Sequence, residues 1–157
     1  MERKLRENMK KVPLRLVYEA IESANEVYDQ YLDTEEMKVI MLPNRFSGIA
    51  EYEDGDEELA ERIEMDEDKR YLALPDQYDI HEYRIMEDYI NDLDDHVLAR
   101  ALAGAIRGRG AFRRFKNTLI EEGDIQTWYD YRDQYYWKLA RKWCKEHDLE
   151  IIEDRKD

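Results

Sequence analysis

Hydrophobic periodicity of two is confined to the N-terminal half of this chain, and that limits the folds open to it. From Val27 to Leu32 the side chains alternate: Tyr28, Gln30 and Leu32 share one side, Val27, Asp29 and Tyr31 the other. A second apolar stretch, β-rich around Val39 and Ile40, follows after Asp33-Thr34-Glu35-Glu36. A period of two with a short polar break predicts a β-hairpin with a four-residue loop, ending at Pro43. "RYLALP", residues 70 to 75, reads as a third short strand that Pro75 closes. Beyond it the period lengthens. Tyr83, Met86, Ile90 and Leu93 recur at three and four, one apolar stripe of a helix. Strands and helices are segregated rather than alternating, which predicts an α+β fold: a small N-terminal antiparallel sheet (hairpin plus one short strand) with a helical C-terminal half.

Other elements follow from caps and breakers. Pro13 suits the first turn of a helix whose face is Leu14, Val17, Tyr18, Ile21 and Ala24. Asp56 is the expected cap of a short acidic helix through Ile63. Asp94 is the expected cap of a helix with Leu98, Ala101, Leu102, Ala105 and Ile106 inward. Gly108 and Gly110 break it, since each glycine costs a helix interior about 1 kcal/mol. A new helix then carries Phe112, Phe115 and Leu119 inward and stops at Gly123. Asp124 caps a long last helix facing the core with Ile125, Trp128, Tyr129, Tyr136, Leu139, Ala140 and Trp143, and "LEII" reads as a final short strand. The 157 residues are read as a single domain, 1–157, with residues 1–12 as a flexible basic tail.

Chemistry-bearing patterns are sparse. The one cysteine, Cys144, permits no intrachain disulfide, which suits a reducing compartment. With no signal-like or membrane-length apolar run, the reading is a soluble, cytoplasmic protein without a membrane partner. The acidic loop "EDGDEE" fails as a calcium loop. Aligning Gly55 with the loop's glycine puts Ala50 and Tyr52 where oxygen ligands are needed. Cys144 and His147 are half of a zinc site with no second pair. No nucleophile, Walker, dinucleotide or metalloprotease motif occurs. The expectation is therefore no catalytic residues, no metal, no cofactor and no enzymatic activity. An enzyme would need a pocket joining Arg132 or the arginine ridge to a carboxylate of raised pKa, such as one from "DYINDLDDH".

Charge is the informative property. The net charge is −14, yet residues 47 to 95 hold 19 acids and four bases, while residues 96 to 117 hold six bases and no acid. Within the latter, "GRGAFRRFK" places Arg107, Arg109, Arg113, Arg114 and Lys116 around a glycine turn and a helix start, where free N–H groups favour anions. These five are the candidate anion-binding residues. Arg132, one turn from Trp128, Tyr129 and Tyr136, is a secondary candidate, the alternative being a stem packed on rings with its head paired to an acid. Three readings of the ridge compete. It braces the chain's own acidic segment 47–95, it binds a nucleic-acid backbone, or it forms one face of a protein-binding or self-associating module. The leading functional reading is a binding module whose Arg107–Lys116 ridge engages an anionic partner, protein or nucleic acid.

The strings "LARALAGAIRGRGAFRRFK", "YLD" at 31–33, "YLALP" at 71–75, "MEDYI" at 86–90, "WYDY" at 128–131 and "ARKWC" at 140–144 resemble bacterial Uncharacterised Protein Family 0158. The resemblance runs from about Leu14 to Ile152. One departure lies in the hairpin, where the family commonly has glycine after the threonine and this chain has Glu35. The resemblance implies a small bacterial cytoplasmic protein and carries over no activity and no catalytic residue.

Overall fold

A computed structural model describes residues 9–153. In chain order the elements are β1 (Lys11–Pro13), α1 (Leu14–Glu22), β2 (Tyr28–Asp33), β3 (Lys38–Pro43), a 3-10 turn (Arg45–Ser47), α2 (Asp56–Glu64), β4 (Tyr71–Ala73), α3 (Gln77–Ile80), α4 (Glu82–Asp92), α5 (His96–Ala105), α6 (Ala111–Glu122), α7 (Ile125–Glu146) and β5 (Glu150–Ile152). The fold is α+β, with the antiparallel sheet near the N-terminus and a helical C-terminal half. The chain divides into two compact units. One comprises the residues up to Ile80 together with those from Tyr136, the other His81–Tyr135.

The first unit is built on a three-stranded antiparallel sheet of order β3-β2-β4. Tyr28 pairs with Pro43, Asp33 with Lys38, and Tyr31 with Ala73. Alternation along β2 buries Gln30 and Leu32, as the period of two requires, and Leu42 is buried on β3. Gln30 Nε2 donates to Ala20 O at 2.7 Å and so ties the sheet to α1, which buries Leu14, Val17, Ala20 and Ile21. The hairpin loop is Thr34–Met37, one residue later than the alternation suggests, because Asp33 still pairs in the strand. Its left-handed residue is Met37 (φ 53°), not Glu35, so the loop has no need of glycine after the threonine.

Asp33 organises this corner. Its carboxylate accepts from the backbone N of Glu35 (3.0 Å) and Glu36 (3.2 Å), and from Arg70 Nε (3.1 Å) and Nη2 (3.0 Å). The Arg70 hydrogen bond, with the two loop N–H groups, holds the Asp33 carboxyl below the usual carboxylate range.

Two local features depart from expectation. Lys11–Pro13 forms a parallel pair with Glu150–Ile152, and Val12 is buried, so the tail expected over 1–12 does not extend to Lys11. Its first eight residues lie outside the described ones. Asp56 is the first residue of α2 rather than its cap: Gly55 occupies the cap (φ 91°) and Asp56 Oδ2 accepts from Glu53 N, holding the preceding turn. At the other end of this unit, Trp143 Nε1 donates to Ala73 O at 3.0 Å, and Tyr18 stacks on Trp137 at 3.9 Å. Cys144 is buried, and burial pushes its thiol up to about 11, which leaves it an inert packing group.

The second unit packs α4, α5, α6 and the first half of α7 around an aromatic cluster. Trp128 meets Phe115 edge-on at 4.8 Å and Tyr89 at 5.4 Å, and Tyr89 meets Tyr131 at 5.3 Å. Ile85, Met86, Leu102 and Leu119 complete the core. The buried stripe of α4 is Ile85, Met86, Tyr89 and Ile90. It excludes Tyr83, which is exposed and whose hydroxyl donates to Ile106 O at 3.1 Å; His81 is left-handed (φ 56°), and the helix begins after it at Glu82. The cap of α5 is Asp95, which accepts from Val97 N and Leu98 N, each at 3.1 Å, one residue later than Asp94.

Candidate functional site

The arginine ridge lies within the second unit. Helix α5 ends at Ala105, and the chain reverses through Arg107–Gly110 into α6. Both glycines of the reversal sit in the left-handed region, Gly108 at φ 76° and Gly110 at φ 75°. Gly110 is the cap residue of α6 and offers no side chain, so the first N–H groups of α6 have no side-chain cap.

Arg114 folds back onto this reversal. Its Nε donates to Ala105 O at 2.8 Å, Nη1 to Arg109 O and Nη2 to Arg107 O. A cation thereby satisfies the last carbonyl of α5, where the helix dipole also favours positive charge, and two carbonyls of the turn that follows. Of the five guanidinium N–H groups, two remain for anything else. Glycine is required at 110 on a second count, since a Cβ there would lie 3.0 Å from Arg114 Nη1. Gly110→Ala is therefore expected to cost about 1–2 kcal/mol from left-handed backbone strain, with extra cost from crowding. In a double-mutant cycle with Arg114→Met, measured by chemical denaturation, the crowding part should vanish, making the double variant more stable than the sum of the two losses. Strict additivity would show that the arginine head does not hold this turn.

Arg107, Arg109 and Arg113 are exposed, and among the described residues their side chains form no hydrogen bond or ion pair. Lys116 is half-buried and placed differently. Its Nζ lies 4.6 Å from the centre of the Phe112 ring and 5.9 Å from that of Tyr129. Arg132 approaches the same Tyr129 ring at 5.3 Å and pairs with Glu82 at 3.8 Å. Arg132 is thus a packed, paired cation. Two of the "DYINDLDDH" carboxylates also have local partners: Asp92 accepts from the Tyr131 hydroxyl at 2.9 Å, and Asp95 caps α5. Burial, followed by the Asp92 hydrogen bond, raises Tyr131 to about 12. The five sequence candidates therefore sort into three outward arginines, one turn-closing arginine and one ring-packed lysine. The role of Arg114 has no sequence signal, because its acceptors are main-chain carbonyls that every residue type supplies.

This defines a class: an α+β protein with a small antiparallel sheet and a basic helix–turn–helix edge. The chain matches the model of Uncharacterised protein family (UPF0158) over residues 9–156 and belongs to that family. It is 26% identical over 123 residues to the UPF0158 protein PA5073 of Pseudomonas aeruginosa, covering 78% of this chain and 74% of that relative. No solved structure matches it. Among the described residues, no helix is long and apolar enough to cross a membrane.

Proposed function

We propose that this protein is a cytoplasmic, non-enzymatic interaction module whose ridge engages an anionic partner. The observation that carries this reading is the state of Arg107, Arg109 and Arg113. Three exposed guanidinium groups within seven residues have no carboxylate partner among the described residues, in a chain with 39 acids. Elsewhere such acids pair readily, as in Arg70 with Asp33 and Glu35, and Arg141 with Glu153. The helix start beside them adds uncapped N–H groups and a positive dipole end. Salt screens charge beyond about 8–10 Å, so the net −14 does not cancel a local cluster at contact range. Arg114 supports this reading indirectly, because it fixes the turn from which Arg107 and Arg109 project.

The test is fluorescence anisotropy of labelled single-stranded RNA, duplex DNA and a Glu-rich peptide at two salt concentrations. At least one should bind, and the Arg109→Glu, Arg113→Glu pair should weaken it about tenfold or more. Surface substitutions of this kind are expected to move stability by no more than about 0.5 kcal/mol. A phosphate partner should show a salt slope of about 0.7–0.9 per contact. No binding by any polyanion at low salt would sink the proposal.

A further inference from the structure

We infer that the partner of the ridge is a nucleic-acid duplex held by its phosphate backbone, and that the contact extends from the turn onto the outer face of α5. This rests on the proposal that the ridge takes an anionic partner. Two residues of α5 that the ridge does not include carry it further. The first is Arg100. It is exposed, and among the described residues its side chain forms no hydrogen bond or ion pair. It joins Arg107, Arg109 and Arg113 as a fourth outward guanidinium.

The second is Gly104. Arg100, Ala103 and Gly104 have the spacing that puts residues on one helix face. All three are exposed, while Leu98, Leu102 and Ile106 are buried. Glycine weakens a helix interior, and the fold does not ask for it here. Gly104 is not among the left-handed glycines, and a Cβ on it would meet no atom within 4 Å. Bare backbone at this point lets a partner approach closely between Arg100 and the turn.

The make-up of the surface selects the partner. Residues 96–117 hold six bases and no acid. A second copy laid antiparallel on α5 at Gly104 would set Arg100 of each against Arg107 of the other, like charge on like charge. A folded protein partner calls for an apolar patch centre from which charged residues are depleted. The large exposed apolar residues of these two helices, Val97 and Ile120, stand toward the helix ends remote from the turn. A phosphate backbone calls for no apolar centre. It is gripped by forked guanidinium groups and by N–H groups at a helix start, and the start of α6, next to Arg109, has no side-chain cap.

The rings decide between one strand and two. Single-strand sites combine cations with free aromatic faces on which bases stack. Here Phe115 is buried, the Lys116 ammonium lies over Phe112 at 4.6 Å, and Tyr83, 42% exposed, has its hydroxyl engaged by Ile106 O at 3.1 Å. The surface is therefore suited to backbone contact, and a duplex offers twice the charge per length of one strand.

The experiment is fluorescence anisotropy of the full chain with a labelled DNA duplex of about 20 base pairs, a single strand of the same length and a Glu-rich peptide, from 50 to 200 mM sodium chloride. The duplex should bind tightest, with a salt slope of about 3–4 for four arginines. Arg100→Gln should weaken it about fivefold and lower that slope by about 1. Gly104→Leu should weaken it at least fivefold while its thermal midpoint equals or exceeds the parent's, because leucine is the better helix former and has open space. Parent-like duplex binding by both variants overturns the inference, as does a lowered midpoint in Gly104→Leu, which would mean that the fold needs this glycine. Tighter binding of the single strand overturns it in favour of base stacking on Tyr83, and tighter binding of the peptide in favour of an acidic protein. Each of these results leaves the ridge reading standing. Binding of none of the three probes at 50 mM salt means that the ridge reading itself has failed.

Discussion

Trp128→Ala is expected to lower stability by about 3–5 kcal/mol, the cost of truncating a wholly buried aromatic. Trp128 is 0% exposed and stands at the centre of the edge-to-face contacts with Phe115 and Tyr89. At this chain length each kcal/mol moves the thermal midpoint by about 2–4 °C, so the shift should be on the order of 10 °C. Its indole N–H adds a second expectation. Nε1 is buried and has no hydrogen-bond partner among the described residues. An unsatisfied buried donor costs about 1–3 kcal/mol, so Trp128→Phe removes a penalty while it loses volume. Thermal and denaturant unfolding should place the phenylalanine variant less than halfway to the alanine one. Equal losses would mean that the indole N–H has a partner and contributes to stability.

Asp33→Ala is expected to cost about 2–3 kcal/mol, because hydrogen bonds to a charged group are worth more than neutral ones. Removing the carboxylate leaves the Glu35 and Glu36 N–H groups without their acceptor and strips Arg70 of its bidentate partner. The pH dependence identifies the charge. The folded pKa of Asp33 lies below its unfolded value, chiefly through Arg70. Its contribution is therefore complete above the unfolded value, about 3.9, and is lost as pH falls through the folded one. The stability difference between the parent and Asp33→Asn should be constant near neutrality and shrink below about pH 4. Asp66, held low first by its hydrogen bond from Tyr71 N, acts in the same window but is common to both proteins. A difference that persists unchanged into acid would refute the assigned role of the Arg70 pair.

Particular residues show how far local pattern reached. Leu32 and Gln30 were legible as one buried face, because alternation over six residues leaves little choice of side. The glycines at 108 and 110 marked a reversal, since left-handed backbone is costly for other residues. The β1–β5 pair was half legible. "LEII" reads as a strand, but its partner Lys11–Pro13 is three residues long and has no period of its own. The caps at Asp95 and Gly55 each lay one residue from expectation, a shift that hydrogen-bond geometry settles and periodicity does not. At the ridge, composition revealed the cations but not their division of labour. Arg113 and Arg114 are adjacent and chemically identical. One is exposed and without a partner among the described residues; the other closes a turn through Ala105, Arg107 and Arg109 carbonyls.

Linear order was enough to specify the segregated α+β class, the hairpin, most of the helices without their exact caps, and the concentration of positive charge after residue 96. Those features depend on interactions between residues a few positions apart, which spacing encodes directly. The Asp33–Arg70 clamp and the Trp128 cluster join residues tens of positions apart. Their energies depend on distance and direction in space, and these exist only once the chain has closed.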